Sequence, residues 1–166
     1  MKTIVNLRGE STSGAWLFEV ESSAQAGVEL IPFRMSSRGA PSAKRVLDLA
    51  HLIADVDRPV LFHCKSGADR SGFAAGVYLL VSEAGDVTAA KAQLSWKYLH
   101  FKGASTGMLD EFFCEYERYL ARESRAHSRE IFLSWVRHVY DADALKRQFK
   151  PDGLVTWLVD KVLRRE

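Results

Sequence analysis

Apolar residues recur along this chain in two rhythms, one of strands and one of helices. Residues 3–7 (TIVNL) are β-rich and run into Arg8-Gly9-Glu10, which predicts a strand and a turn. After the polar stretch 11–14, residues 15–26 fit a helix, and residues 28–34 (VELIPFR) read as a second strand. Residues 36–42 (SSRGAPS) have loop composition. Across 41–56, Val46, Leu47, Leu49, Ala50 and Ile53 share one helical face. Residues 59–63 (PVLFH) form a short continuous apolar run, which predicts a buried central strand. Residues 71–83 are apolar nearly all round, as a buried helix requires, and Gly85 ends that pattern. Residues 86–97 predict another helix with Asp86 as its N-cap. From Thr106 onward the pattern is helical, with breaks near Asp141 and at Pro151-Asp152-Gly153.

Strands that alternate with helices early, followed by helices alone, predict an α/β layered fold with a C-terminal helical cluster. The length of 166 residues suits one domain, and 47% hydrophobic residues supply a core without disulfide staples. A net charge of +2 argues against nucleic-acid binding through bulk electrostatics. The two cysteines, Cys64 and Cys114, make no disulfide framework and fit a reducing compartment. Cys114 lies in a helical pattern and reads as core packing. Residues 1–15 show no apolar signal-peptide core, and runs such as 77–81 and 154–159 are too short to span a bilayer. The expectation is a cytoplasmic location.

One segment carries chemistry: His63-Cys64-Lys65-Ser66-Gly67-Ala68-Asp69-Arg70-Ser71-Gly72, between a predicted strand and a predicted helix. A cysteine facing a helix N-terminus meets oriented N–H groups that favour its thiolate, the nucleophilic form. The consecutive N–H groups from Lys65 through Ser66, Gly67, Ala68, Asp69 and Arg70 can curl into an anion-binding nest, with Gly67 supplying the backbone freedom. Arg70 closes the curl with a fork of donors that matches two phosphate oxygens. Ser71 can donate to the sulfur when the thiolate leaves. Taken singly, Cys64 would read as a small buried hydrophobe and Arg70 as half of a surface ion pair. Together, with Gly67 between them, they specify a phosphate cradle.

This H-C-x5-R-S pattern resembles the active-site signature of the protein tyrosine and dual-specificity phosphatase superfamily. The wider stretch from Asn6-Leu7-Arg8-Gly9-Glu10 through Tyr98-Leu99-His100 resembles a bacterial dual-specificity-like branch. The resemblance implies an α/β, dual-specificity-phosphatase-like fold with a short central sheet flanked by helices. It divides the chain into a phosphatase-like domain, 1–123, and a C-terminal helical extension, 124–166, packed on the same domain. It also implies Cys64 as nucleophile, a phosphocysteine intermediate, Arg70 as phosphate clamp, and neither metal nor cofactor.

Leaving-group departure needs a proton donor. The family's usual upstream acid loop corresponds here to residues 34–42, which contain no Asp or Glu. Asp69 is the substitute, since myotubularin-type lipid phosphatases carry an Asp just before the signature Arg. Alternatively, Asp69 caps the following helix or pairs with a lysine. His63 is a candidate to orient the loop. Arg8, with Glu10, is a candidate for the pocket mouth, Arg38 and Lys65 for a second anionic group of the substrate, and His100 for proton transfer. Each has a plainer reading as a packed histidine or a solvated charge.

These features predict a phosphomonoester hydrolase acting on a phosphoprotein or on a phosphorylated lipid, sugar or inositol. The alternatives are a phosphate-binding pseudophosphatase and, more remotely, a rhodanese-like sulfurtransferase. Residues 154–166 combine Leu154, Trp157, Leu158 and Leu163 with Lys161, Arg164 and Arg165, a pattern that suits either contact with an anionic membrane surface or an amphipathic helix packed on the body.

Overall fold

The sheet begins with Thr3–Asn6 (β1), in which Thr3, Val5 and Asn6 are buried. In this computed structural model, which describes residues 1–82 and 85–162, β1 is the middle of three parallel strands. The chain crosses through Gly14–Gln25 (α1) to Glu29–Pro32 (β2), and then through Ala43–Asp55 (α2) to Val60–His63 (β3). The register sets Val5 between Ile31 and Phe62, and Asn6 between Pro32 and His63. All three strands are parallel, so their C-terminal ends meet at one edge, where open α/β sheets bind ligands.

The order β2-β1-β3 corrects the expectation that the 59–63 run is the central strand. β3 is an edge strand, and Leu61 is 42% exposed. Val60 and Phe62 pack on the core while Leu61 faces outward. An apolar run reports on the two faces of a strand and says nothing about its lateral neighbours.

Asp69–Val81 (α3) is the buried helix, with Phe73, Ala74, Val77 and Leu80 fully covered. The next helix, Val87–Ala92 (α4), starts on its expected cap: Asp86 accepts from the N–H groups of Thr88 and Ala89. It ends earlier than its pattern suggests. The chain turns through a short 3-10 segment, Trp96–Tyr98, closed by Leu99 at φ 62°, and this turn carries Leu94 and His100 into the interior. Gly72 permits the close approach of the two helices, since a Cβ there would lie 2.6 Å from the Gln93 carbonyl oxygen.

Four further helices follow: Met108–Arg122 (α5), Arg129–His138 (α6), Ala142–Gln148 (α7) and Gly153–Val162 (α8). The break between α5 and α6 is one that the sequence pattern does not reveal. Phe112 of α5 packs edge-on against Phe73 of α3 and against Trp135 of α6. Phe132, Trp135 and Val136 of α6 share one core with Val5 and Leu49. The Tyr140 hydroxyl donates to the Pro41 carbonyl at 2.8 Å, which ties this end of the chain to the start of α2.

α8 buries Val159 and leaves Leu154, Trp157 and Leu158 exposed. It is fixed to the segment before α5, where the Asp152 N–H donates to the Gly103 carbonyl and the Ser105 N–H to Thr156 Oγ1. Glu83, the expected end of the third helix, lies outside the described residues, as do Leu163, Arg164 and Arg165 of the C-terminal segment. Among the described residues no helix is long and apolar enough to cross a membrane.

Candidate active site

Cys64 follows β3 directly, and α3 begins five residues later at Asp69. Between them the chain curls through Gly67 at φ +75°, a conformation that costs glycine little and other residues more. Burial pushes the half-buried Cys64 thiol up. The neighbouring Ser71 hydroxyl and the N–H groups of Ser71, Gly67 and Ser66 favour the thiolate and outweigh that effect, so its pKa lies below the ordinary 9.0. Arg70 and Ser71 occupy the first turn of α3, and Arg70 is buried against the loop. Lys65 and Ser66 are exposed at the outer rim, and Ala68 is buried at the helix start.

Asp69 does not cap the helix. The residue at the cap is Ala68, which makes no side-chain hydrogen bond there. The Asp69 carboxylate instead faces His100, whose Nδ1 lies 2.7 Å from Asp69 Oδ1. The other ring nitrogen, Nε2, bonds Asp110 Oδ2 on α5. All three residues are buried. Burial alone would push the imidazole down, but the hydrogen bonds and charges of Asp110 and Asp69 raise it to about 9. The ring is therefore an imidazolium at neutral pH, donating to a carboxylate on each side, with Lys102 Nζ 3.7 Å from the second oxygen of Asp110. His100 thus couples the first turn of α3 to α5.

A cleft of about 380 Å³ opens beside the loop. Arg8 and Gly9 from the end of β1, Trp16 and Glu19 from α1, Arg34 beyond β2, and Lys65 and Arg70 from the loop form its walls. Asn6 organises this end. Its Oδ1 accepts from the Arg8 N–H at 2.8 Å, and its Nδ2 donates to Glu19 Oε2 at 2.6 Å. Glu19 Oε1 lies 2.6 Å from His63 Nε2, which anchors the residue preceding Cys64 to α1.

The structure brings Arg8 and Lys65 to the cleft and His63 and His100 to the residues that support it. Glu10 contributes only its carbonyl, which accepts from Arg34 Nη2 at 2.9 Å. Arg38 is exposed and lies outside the cleft walls, its N–H donating to Ser36 Oγ.

Sequence reasoning misses Asn6, Trp16, Glu19, Arg34 and Asp110 as site residues. Asn6 stands beside Arg8 and is the one with a local signal, a short amide side chain at a strand end before a turn. Glu19 and Asp110 reach the site only through tertiary packing.

A family model described as "DSP-PTPase phosphatase fused to NAD+ Kinase" matches residues 1–107, from β1 through the turn that carries His100. Comparison with curated proteins gives no significant match, and comparison with solved structures gives none either. The matched span covers the sheet, the Cys64 loop and most of the cleft's support, so the chain belongs to the family of dual-specificity-type phosphatase domains described as fused to NAD+ kinase.

Proposed function

We propose that this protein hydrolyses phosphomonoesters through a phosphocysteine intermediate on Cys64. The observation that carries the reading is the placement of Cys64 at the end of β3, before a curl through Gly67 into the first turn of α3, where the neighbouring N–H groups and the Ser71 hydroxyl favour its thiolate. Donors that favour a thiolate also suit the oxygens of a bound phosphate.

In the first step the sulfur attacks phosphorus, and the bond from phosphorus to the leaving oxygen breaks. Arg70 and the loop N–H groups bind the three non-bridging oxygens. The leaving oxygen takes a proton from the Asp69–His100 pair, in which the imidazolium shares its Nδ1 proton with Asp69. In the second step water attacks phosphorus, returns a proton to Asp69 and releases the thiolate, to which Ser71 donates. Phosphate leaves.

The substrate is a phosphorylated small molecule or a phosphoprotein. The family description, a phosphatase joined to an NAD+ kinase, supports including phosphorylated nucleotides among the candidates.

Turnover of p-nitrophenyl phosphate with EDTA and a reductant tests the reading. Wild type should turn over, and Cys64→Ser should lose activity while still binding phosphate or vanadate. Undiminished turnover in Cys64→Ser would refute it. Asp69→Asn should slow alkyl phosphates far more than p-nitrophenyl phosphate, because only the poor leaving group needs the proton. Equal losses on both would remove the acid role from Asp69.

A further inference from the structure

The cleft beside the phosphate loop holds more positive charge than one phosphomonoester uses. Arg70 and the loop N–H groups serve the scissile phosphate. Arg8, Arg34 and Lys65 stand along the same walls, and the carboxylate lining the cleft, Glu19, is engaged by Asn6 and His63. Among the described residues, Arg8 and Lys65 form no ion pair, and the Arg34 guanidinium is steadied by the uncharged Glu10 carbonyl.

The backbone of Arg8 and both the backbone and guanidinium of Arg34 are held in place. Arg8 lies within the turn after β1, where its N–H donates to Asn6 Oδ1. The backbone of Arg34 is pinned by Arg45, whose Nε donates to the Arg34 carbonyl at 2.8 Å while its guanidinium lies 4.0 Å from the centre of the Phe33 ring. Gly9, at φ +74°, leaves room for Arg34, since a Cβ there would lie 2.7 Å from the Arg34 Cβ. Positioned cations without a carboxylate partner recognise an anionic ligand group at low reorganisation cost. Trp16 lines the remaining wall together with Ser11 and Ala15, and its side chain is of the aromatic kind on which bases stack.

Resting on the phosphatase reading above, we propose that the cleft binds a second anionic group of the substrate, and that this substrate is a small phosphomonoester with a second phosphate and a planar ring, a nucleoside bisphosphate. The volume of about 380 Å³ suits a small ligand rather than an extended peptide. A phosphoinositol would satisfy the cations but bring no planar ring to Trp16.

The test compares adenosine 2′,5′- and 3′,5′-bisphosphate with the matching 2′- and 3′-monophosphates, a phosphotyrosyl peptide and p-nitrophenyl phosphate. At least one bisphosphate should exceed its monophosphate in kcat/KM by about tenfold, roughly the worth of one charge-assisted hydrogen bond. That advantage should shrink with added salt, and Arg34→Ala or Arg8→Ala should remove most of it. Trp16→Ala should raise KM for mono- and bisphosphate alike. Equal efficiency on each pair, or preference for the phosphopeptide, would overturn the proposal while leaving the phosphatase reading intact. Calorimetric binding to Cys64→Ser reads the cleft without turnover. If wild type fails on p-nitrophenyl phosphate, the phosphatase reading falls, and the bisphosphate preference in binding alone decides for or against the subsite.

Discussion

At the scale of single residues, Cys64 and Ser71 make the sharpest statement. Burial opposes the thiolate, and the Ser71 hydroxyl leads the neighbouring groups that overcome it. Activity that depends on the thiolate rises with pH through the Cys64 pKa, so a depressed pKa moves the acidic limb of kcat/KM below the ordinary thiol value. Ser71→Ala should shift that limb to higher pH, together with the pH dependence of alkylation by iodoacetamide. An unshifted alkylation profile would show that Ser71 does not hold the thiolate. This part of the site is legible in the sequence because a phosphate curl is local: Cys64, Gly67, Arg70 and Ser71 are bound to one short stretch of chain by the geometry they serve. Glu19 and Asp110 are not legible there, since nothing in their own segments marks which face of a helix will meet the loop.

At the scale of elements, α3, α4 and α5 are joined through His100. Its pKa rises from the ordinary 6.5 to about 9 in the fold, so folding favours the protonated ring. The resulting stability is complete below about pH 6.5 and is lost as pH rises through about 9, a change on the order of 3 kcal/mol. The thermal midpoint of the wild type should fall across that window relative to His100→Gln. Taking the difference between the two proteins cancels the opposite contribution from Cys64. Parallel curves would contradict the buried imidazolium. If the Asp69–His100 pair supplies the proton as proposed, His100→Gln should also slow alkyl phosphates more than p-nitrophenyl phosphate, which a purely structural loss would not do. The helices themselves are mostly legible from periodicity. The early end of α4 is not, because burying Leu94 and His100 is a demand of tertiary packing that overrides a continuing helical pattern.

At the scale of the molecule, the family match ends at residue 107 while the core continues. Phe112 packs on Phe73 of α3, and Phe132 and Trp135 pack in turn on Phe112. The α/β order and the late helices are readable from the chain. The lateral order of the strands is not, and β3 lies at an edge with the reactive loop at its end. The central claim is that phosphorus is bonded to Cys64 during turnover. Rapid acid quench during hydrolysis of p-nitrophenyl phosphate, followed by intact and peptide mass spectrometry, tests it most directly. A single added phosphoryl group should appear on the peptide containing Cys64, formed within one turnover and absent in Cys64→Ser. Steady turnover with no phosphoryl group on Cys64, and no loss in the serine variant, would contradict it.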